Sequence, residues 1–143
     1  MRTQLHGMLA GLVLGLGVVG VSVGAEAKAK KTDLEGAWKA VGKKSAVQQI
    51  SFTGNKFAMT MGEKTYKGTF KLNDDENPMH LDMTITESSV EKHKGKTLLG
   101  IYEFQGQNIR WCSSMPGRKR RPGQFAPVMG DARLLLATFA KKK

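Results

Sequence analysis

Short runs of alternating apolar and polar residues follow one another along most of this chain. In residues 56–61, Phe57, Met59 and Met61 occupy every second position, with lysine, alanine and threonine between them. Residues 65–72 repeat the pattern, with tyrosine, phenylalanine and leucine on one side. A period of two places successive side chains on opposite faces of a strand, so that one face is buried and the other solvated. The pattern therefore predicts β-strands with one buried face.

Turn residues separate eight such runs. Glycine and asparagine, which tolerate positive φ, lie in several links, and most links are too short to cross a sheet. Eight antiparallel strands can close without leaving an exposed edge. We expect an all-β fold, a small eight-stranded antiparallel up-and-down barrel over residues 34–141. The predicted strands cover residues 34–41, 47–52, 56–61, 65–72, 79–86, 97–104, 108–113 and 133–139.

The apolar faces of these strands are expected to line the barrel interior. Large side chains dominate the set, which favours a mostly filled interior. Methionine is flexible and suits adaptable binding surfaces, so a small apolar or amphiphilic ligand is the alternative occupant. The candidate ligand-binding residues are Trp38, Phe57, Met59, Met61, Tyr66, Phe70, Met83, Tyr102 and Trp111.

The first 27 residues have the pattern of a secretion signal. Arg2 precedes a run of apolar residues, glycine and one serine over residues 8–23, which is short for a bilayer span. Ala25 and Ala27 then fit the A-x-A cleavage pattern, and Val23-Gly24-Ala25 offers a competing cleavage site after Ala25. An uncleaved membrane anchor is the alternative interpretation. We expect export to the periplasm, cell envelope or extracellular space, with residues 28–33 as a disordered basic lead-in.

The chain is strongly basic, with a formal net charge of +11. Arg118, Lys119, Arg120 and Arg121 form an uninterrupted basic run in a loop rich in proline and glycine. Such a run attracts anionic polymers and anionic lipid surfaces, and these four residues are the candidate anion-binding site. A solvated charge run is the alternative. Export, and the lack of aromatic residues among these cations, argue against nucleic acid as a partner.

No combination of residues predicts catalysis. His80 and His93 are the only histidines after the signal, whereas catalytic zinc needs three protein ligands, so no metal site is predicted and both are interpreted as solvated surface residues. Cys112 is the only cysteine and is interpreted as a buried, unreactive thiol. We expect a protein without enzymatic activity or cofactors, and the pattern leaves the oligomeric state open.

Several blocks along the domain point to a family. KGKTLLGIYE at residues 94–103 is the most specific of them. The others are LEGAW at 34–38, GNKF at 54–57, GTFKL at 68–72, PMHLDMT at 78–84, PGR at 116–118 and RPGQF at 121–125. Together these blocks resemble a lipocalin-like domain family of unknown function, found in exported proteins of planctomycete-type bacteria.

The resemblance implies a small lipocalin-like barrel without an established activity. In lipocalins, a tryptophan like Trp38 closes the barrel floor and stacks with a basic side chain from a late strand. Arg133 and Arg110 are the candidates for that cation here. The link at residues 42–46 is shorter than in the family, and the segment around Arg118 is more basic. For both reasons no ligand is carried over from the resemblance.

Two function hypotheses follow. The first is an exported, non-catalytic lipocalin-like domain that binds a small apolar or amphiphilic ligand in its interior. The second is an envelope interaction module that binds anionic polymers or lipid head groups through its basic loop. A barrel interior filled by side chains would count against the first hypothesis.

Overall fold

A computed structural model of the chain describes residues 31–125 and 134–143. The predicted signal peptide at residues 1–27, residues 28–30 of the lead-in, and Arg133 lie outside the described residues. The described part contains one short helix, α1 (Lys31–Leu34), one 3₁₀ turn (Glu91–His93) and eight strands. The strands are β1 (Gly36–Ala40), β2 (Gln49–Thr53), β3 (Lys56–Met61), β4 (Lys64–Asn73), β5 (Met79–Ser88), β6 (Thr97–Gln105), β7 (Asn108–Ser114) and β8 (Leu134–Lys141).

The strands form a closed barrel in which neighbours in sequence are neighbours in space. Every pairing among the described strands is antiparallel, and β8 returns to pair with β1, placing Lys141 opposite Trp38. The predicted eight-stranded up-and-down barrel is therefore confirmed. Closure leaves no unpaired sheet edge, which would otherwise present free backbone donors and acceptors.

The start of the domain differs from the prediction. The sequence predicts a disordered lead-in to residue 33 and a strand from residue 34, whereas α1 occupies Lys31–Leu34 and β1 begins at Gly36. Leu34 is fully buried, and its carbonyl accepts a 2.8 Å hydrogen bond from the Trp38 indole N–H. This anchor holds one helical turn against the barrel. Gly36, with φ of 115°, then turns the chain from the helix into the strand.

The predicted inward faces form the core. Of the nine candidate interior residues, all but Met61 are at most 4% exposed, and Met61 is half-buried at the end of β3. The alternation of burial along β4 and β5 follows the sequence pattern closely. Other core side chains include Ile50, Phe52, Leu81, Ile85, Leu98, Ile109, Leu135 and Phe139. The interior is thus densely lined by large apolar groups, as the composition of the strands suggests.

The β4–β5 pair contains an irregularity that bends the sheet. The register shifts between Lys67 and Gly68, and Gly68 pairs with Ile85. A Cβ atom at position 68 would stand 1.8 Å from the Thr84 carbonyl oxygen. Only glycine permits this approach of the two strands, so the residue is required by the local geometry.

A second apolar layer lies outside the barrel on the side of β6 and β7. Ile101 and Cys112 are directly opposite each other and face outward by the alternation of their strands, yet each is at most 1% exposed. Leu136, opposite Cys112 on β8, is half-buried. An outward surface this well buried needs a cover.

The segment after β7, residues 115–125, which we call the strap, is bonded to this side of the barrel. Arg121 of the strap donates a 2.7 Å hydrogen bond to the Gly100 carbonyl on β6. Arg110 on β7 in turn donates to the Phe125 carbonyl at 2.6 Å and lies 5.0 Å from the centre of the Phe125 ring. These two anchors draw the strap back along the outside of the barrel.

Candidate functional site

The described cations concentrate at one end of the barrel. In an up-and-down barrel, alternate connections share an end. The β1–β2, β3–β4, β5–β6 and β7–β8 connections therefore lie together, and we call this the basic end. Its exposed cations within the described residues, counting Lys64 at the first position of β4, are Lys43, Lys44, Lys64, Lys92, Lys94, Lys96, Arg118, Lys119 and Arg120.

Few acidic groups offset this charge. Among the described residues of the same connections, Glu63 and Glu91 are the acids, and Glu91 pairs with Lys94 at 2.9 Å. The opposite end is mixed in charge: the β4–β5 connection carries Asp74, Asp75 and Glu76, whereas Lys141, Lys142 and Lys143 lie at the same end, where β8 finishes. The barrel therefore has one strongly basic end and one end of mixed charge.

Two of the connections are joined directly. The Gly117 amide donates a 3.1 Å hydrogen bond to the Thr97 carbonyl at the start of β6. The Lys96 side chain lies so close that a Cβ at Gly117 would stand 2.9 Å from its Cδ, and Gly117 has φ of 80°. Arg118 is thereby placed beside Lys96, which links the basic run of the strap to the lysines of the β5–β6 connection.

His93 lies among these lysines. Its ring stacks on the buried Tyr66 with 5.7 Å between ring centres, and its Nδ1 is hydrogen-bonded to the Tyr66 hydroxyl at 3.0 Å. Burial, together with the positive charges of Lys92, Lys96 and Lys64, lowers the pKa of His93. Lys92 and Lys96 of the β5–β6 connection and Lys64 at the start of β4 thus act on the same ring.

The contact with Tyr66 corrects the prediction that His93 is a solvated surface residue. The two residues are far apart in sequence, and no local pattern in the chain indicates that they meet. His80 is half-buried and lies on the outer face of β5. Among the described residues, no group of three or more His, Cys, Asp or Glu side chains is placed to hold a metal ion.

The predicted anion-binding run is divided by the structure. Arg118, Lys119 and Arg120 are exposed, whereas Arg121 is half-buried and its Nη1 lies 2.6 Å from Oδ1 of Asp82. Of the four, Arg121 is thus paired within the domain. It anchors the strap, and the other three remain available to a partner.

Of the two candidates for the cation beside Trp38, the structure tests only Arg110, and it finds another residue there. Lys141 at the end of β8 places its Nζ 5.4 Å from the centre of the Trp38 ring. Arg110 instead contacts Phe125, and Arg133 lies outside the described residues. A late strand does supply the basic group, but the residue is a lysine that the closing β8–β1 pairing brings opposite the tryptophan.

Besides Asp82 Oδ1, whose contact with Arg121 is an ion pair and not a hydrogen bond, two buried side-chain polar atoms in the interior have no hydrogen-bond partner within the described part of the chain. They are the Tyr102 hydroxyl and the Trp111 indole nitrogen, on directly opposed residues of β6 and β7. Burial raises the pKa of Tyr102 to about 12, and the charges of Asp74 and Asp33 add to the shift. The same interior contains the other candidate ligand-binding residues, packed against one another.

Cys112 is buried, as predicted, but it faces the outer apolar layer rather than the interior. Burial raises the pKa of its thiol, and the nearby charge of Arg110 opposes that shift. A thiol with a raised pKa is little ionised at neutral pH and is a poor nucleophile. Its position therefore supports packing rather than chemistry.

Comparisons with known protein families, with curated proteins and with solved structures found no match for this chain. The resemblance to lipocalin-like domains therefore stays a prediction. In the described residues there is no helix with the length and apolar character needed to cross a membrane.

Proposed function

We propose that this chain is an exported interaction module that binds polyanionic partners through the basic end of its barrel. The observation that carries the proposal is the convergence of exposed cations from four separate connections on one end. Arg118, Lys119 and Arg120 form the densest part of this surface. Phosphate, sulfate and carboxylate groups presented in arrays are the matching chemistry.

The arrangement supports multivalent binding rather than one tight ion site. Exposed single ion pairs contribute little, with a median of about 0–1 kcal/mol, because water and salt screen them. Several cations that face one polyanion add their small contributions and release its counterions. Such binding weakens steeply as salt rises, because the Debye length falls to about 10 Å at 0.1 M ionic strength.

Inorganic polyphosphate is a suitable probe, with binding measured by calorimetry at 50 and 300 mM NaCl. The test variant replaces Arg118, Lys119 and Arg120 by glutamine. The matched control removes the same charge from exposed positions toward the opposite end, as Lys56→Gln, Lys71→Gln and Lys143→Gln.

We expect the test variant to lose at least tenfold in affinity at low salt, and the control less than threefold. Equal losses in the two variants would show that the overall charge, and not the basic end, determines binding. Binding that is insensitive to salt would also contradict the proposal.

A second candidate function is binding of a small amphiphile inside the barrel. The unpartnered Tyr102 hydroxyl and Trp111 indole N–H support it, because buried polar groups normally have a partner. It ranks second because the apolar interior residues pack on one another. Titration with decanoate, followed by the fluorescence of Trp38 and Trp111, tests it. A saturable change that Tyr102→Phe weakens is expected, and an unchanged spectrum at millimolar decanoate rules this candidate out.

A further inference from the structure

We infer that the partner of the basic end is an anionic lipid bilayer, met end-on with Val41 entering the head-group region. The inference rests on the proposed function, since it names the partner of that same surface. It is carried by the position of one exposed apolar residue and by the shape of the charged surface.

Val41 is 54% exposed and is the one large apolar side chain exposed among the described residues. It directly follows β1, in the same connection as Lys43 and Lys44, so it lies where β1 reaches the basic end. Its amide donates a 2.8 Å hydrogen bond to the Thr138 carbonyl, which holds it beside β8. An isolated exposed valine is ordinary on a protein surface. A valine held among cations, however, combines two features that bind a membrane interface. The cations attract anionic head groups, and the apolar side chain enters the boundary of the acyl chains.

The distribution of cations favours a flat partner. They come from four connections spaced around the rim of a closed barrel, and are not in a single row. A planar surface meets all four connections at once, whereas a linear polymer meets the few that lie along its path. Cations within about a Debye length of an anionic bilayer each gain from its surface potential.

The difference in charge between the two ends sets the orientation. At the opposite end, Asp74, Asp75 and Glu76 are offset by Lys141, Lys142 and Lys143. An anionic surface attracts the basic end more strongly, so the domain approaches with its strands pointing toward the membrane. The strap keeps Arg121 out of the contact, because Arg121 is engaged by Asp82 and Gly100 on the side of the barrel.

The experiment uses the chain without residues 1–27, because the predicted signal would itself bind lipid. That chain keeps the entire barrel, which closes on itself between Gly36 and Lys141. The probes are vesicles of phosphatidylcholine with 30% phosphatidylglycerol, and vesicles of phosphatidylcholine alone. The measurement is the bound fraction after sedimentation, at 50 and 300 mM NaCl.

We expect binding to the anionic vesicles only. Val41→Ser should weaken it about three- to tenfold, since the valine loses its burial in the interface. The glutamine triple variant at Arg118, Lys119 and Arg120 should weaken it by at least tenfold, and the triple variant at Lys56, Lys71 and Lys143 by less than threefold.

A fluorescent reporter of polarity tests the orientation separately. It is attached to cysteine in Val41→Cys, with Asn55→Cys, in the exposed β2–β3 turn of the opposite end, as the matched control. Cys112 is buried and is not expected to react under native conditions. With anionic vesicles, the emission at position 41 should shift to the blue, whereas that at position 55 should stay unchanged.

The outcomes separate this inference from the proposed function. Polyphosphate binding at the basic end without vesicle binding overturns the lipid inference and leaves the proposed function standing. Vesicle binding that Val41→Ser leaves unchanged, with both labels still in water, overturns the end-on contact. Failure to bind either probe overturns both proposals.

Discussion

Arg121 on the strap and Asp82 on the outer face of β5 form an ion pair, with 2.6 Å between Nη1 and Oδ1. The same Nη1 donates to the Gly100 carbonyl at 2.7 Å. The pair ties the strap to the barrel and takes one residue out of an otherwise exposed basic run. Arg121 is thus engaged within the domain, whereas the adjacent Arg120 is exposed.

Arg121→Gln should destabilise the fold by about 1–3 kcal/mol, because it leaves Asp82 without its cation and weakens the anchor of the strap. Urea unfolding measures the loss. Arg120→Gln, one residue away and exposed, should change the free energy of unfolding by less than about 0.5 kcal/mol. The two variants should have the opposite effects on polyphosphate binding: Arg120→Gln should weaken it, and Arg121→Gln should leave it nearly unchanged. Equal stability of the two variants would mean that the ion pair does not anchor the strap.

Gly68→Ala should prevent folding or cost more than about 3 kcal/mol. The added Cβ would stand 1.8 Å from the Thr84 carbonyl oxygen, and that atom belongs to the backbone of a paired strand. Gly123→Ala is the matched control, because a Cβ there meets nothing within 4 Å. Circular dichroism and urea unfolding compare the two. A Gly68→Ala protein as stable as the control would contradict the close approach of β4 and β5.

Tyr102→Phe should leave stability at pH 7 unchanged or raise it, because the buried hydroxyl has no partner among the described residues. A second effect appears at high pH. Since burial raises the pKa of Tyr102 from 10.0 to about 12, the unfolded chain releases this proton first. The wild type therefore loses stability as pH rises from 10 towards 12, by up to about 3 kcal/mol, and the variant lacks that component.

Urea unfolding of both proteins at pH 7, 9.5 and 11 measures this difference. Tyr66→Phe is the contrasting variant at pH 7, because its hydroxyl is bonded to His93 and its removal should cost about 1 kcal/mol. A Tyr102→Phe protein that loses as much stability at pH 7 as Tyr66→Phe would show that the Tyr102 hydroxyl has a partner.

His93→Gln should reduce the loss of folding stability that the wild type shows as pH falls below 6.5. The pKa of His93 lies below its ordinary 6.5, so the unfolded chain takes up this proton before the folded one. The stability contributed by neutral His93 is complete above pH 6.5 and is lost as pH falls through the lowered pKa. Chemical unfolding at steps between pH 7.5 and 4.5 reveals the difference, with His80→Gln as the control. If the free energy of unfolding depends on pH in the same way in the wild type and in His93→Gln, His93 is not the cause of the acid destabilisation.

The sequence was sufficient for the architecture because strand alternation is a local property. The period of two in residues 56–61 and 65–72 predicts β3 and β4 with their buried faces, and the short turns leave little choice of strand order. The burial of Tyr66, Phe70, Met83 and Trp111 follows directly from that pattern. The helical turn at Lys31–Leu34 escaped prediction because a single tertiary anchor, from Leu34 to Trp38, holds it.

The candidate site could be predicted only in part. A run of adjacent cations is recognisable in a sequence, whereas cations that come together only through folding are not. The run at Arg118, Lys119, Arg120 and Arg121 could be read directly, but the role of Arg121 depends on Asp82, 39 positions away in the numbering. Lys43, Lys64 and Lys92 look like scattered surface lysines until the barrel closes. Lys141 meets Trp38 only because the last strand pairs with the first.

Residue pattern alone thus determined that the chain is an all-β barrel, which side chains fill it and that it is basic. Tertiary structure decided which cations share an end, which one is engaged, and where the exposed Val41 lies relative to them. The physical reason is the distance along the chain over which each property is determined. Alternation and turns act over a few residues, whereas the charge of a surface is set by strand pairing and closure between residues distant in the chain.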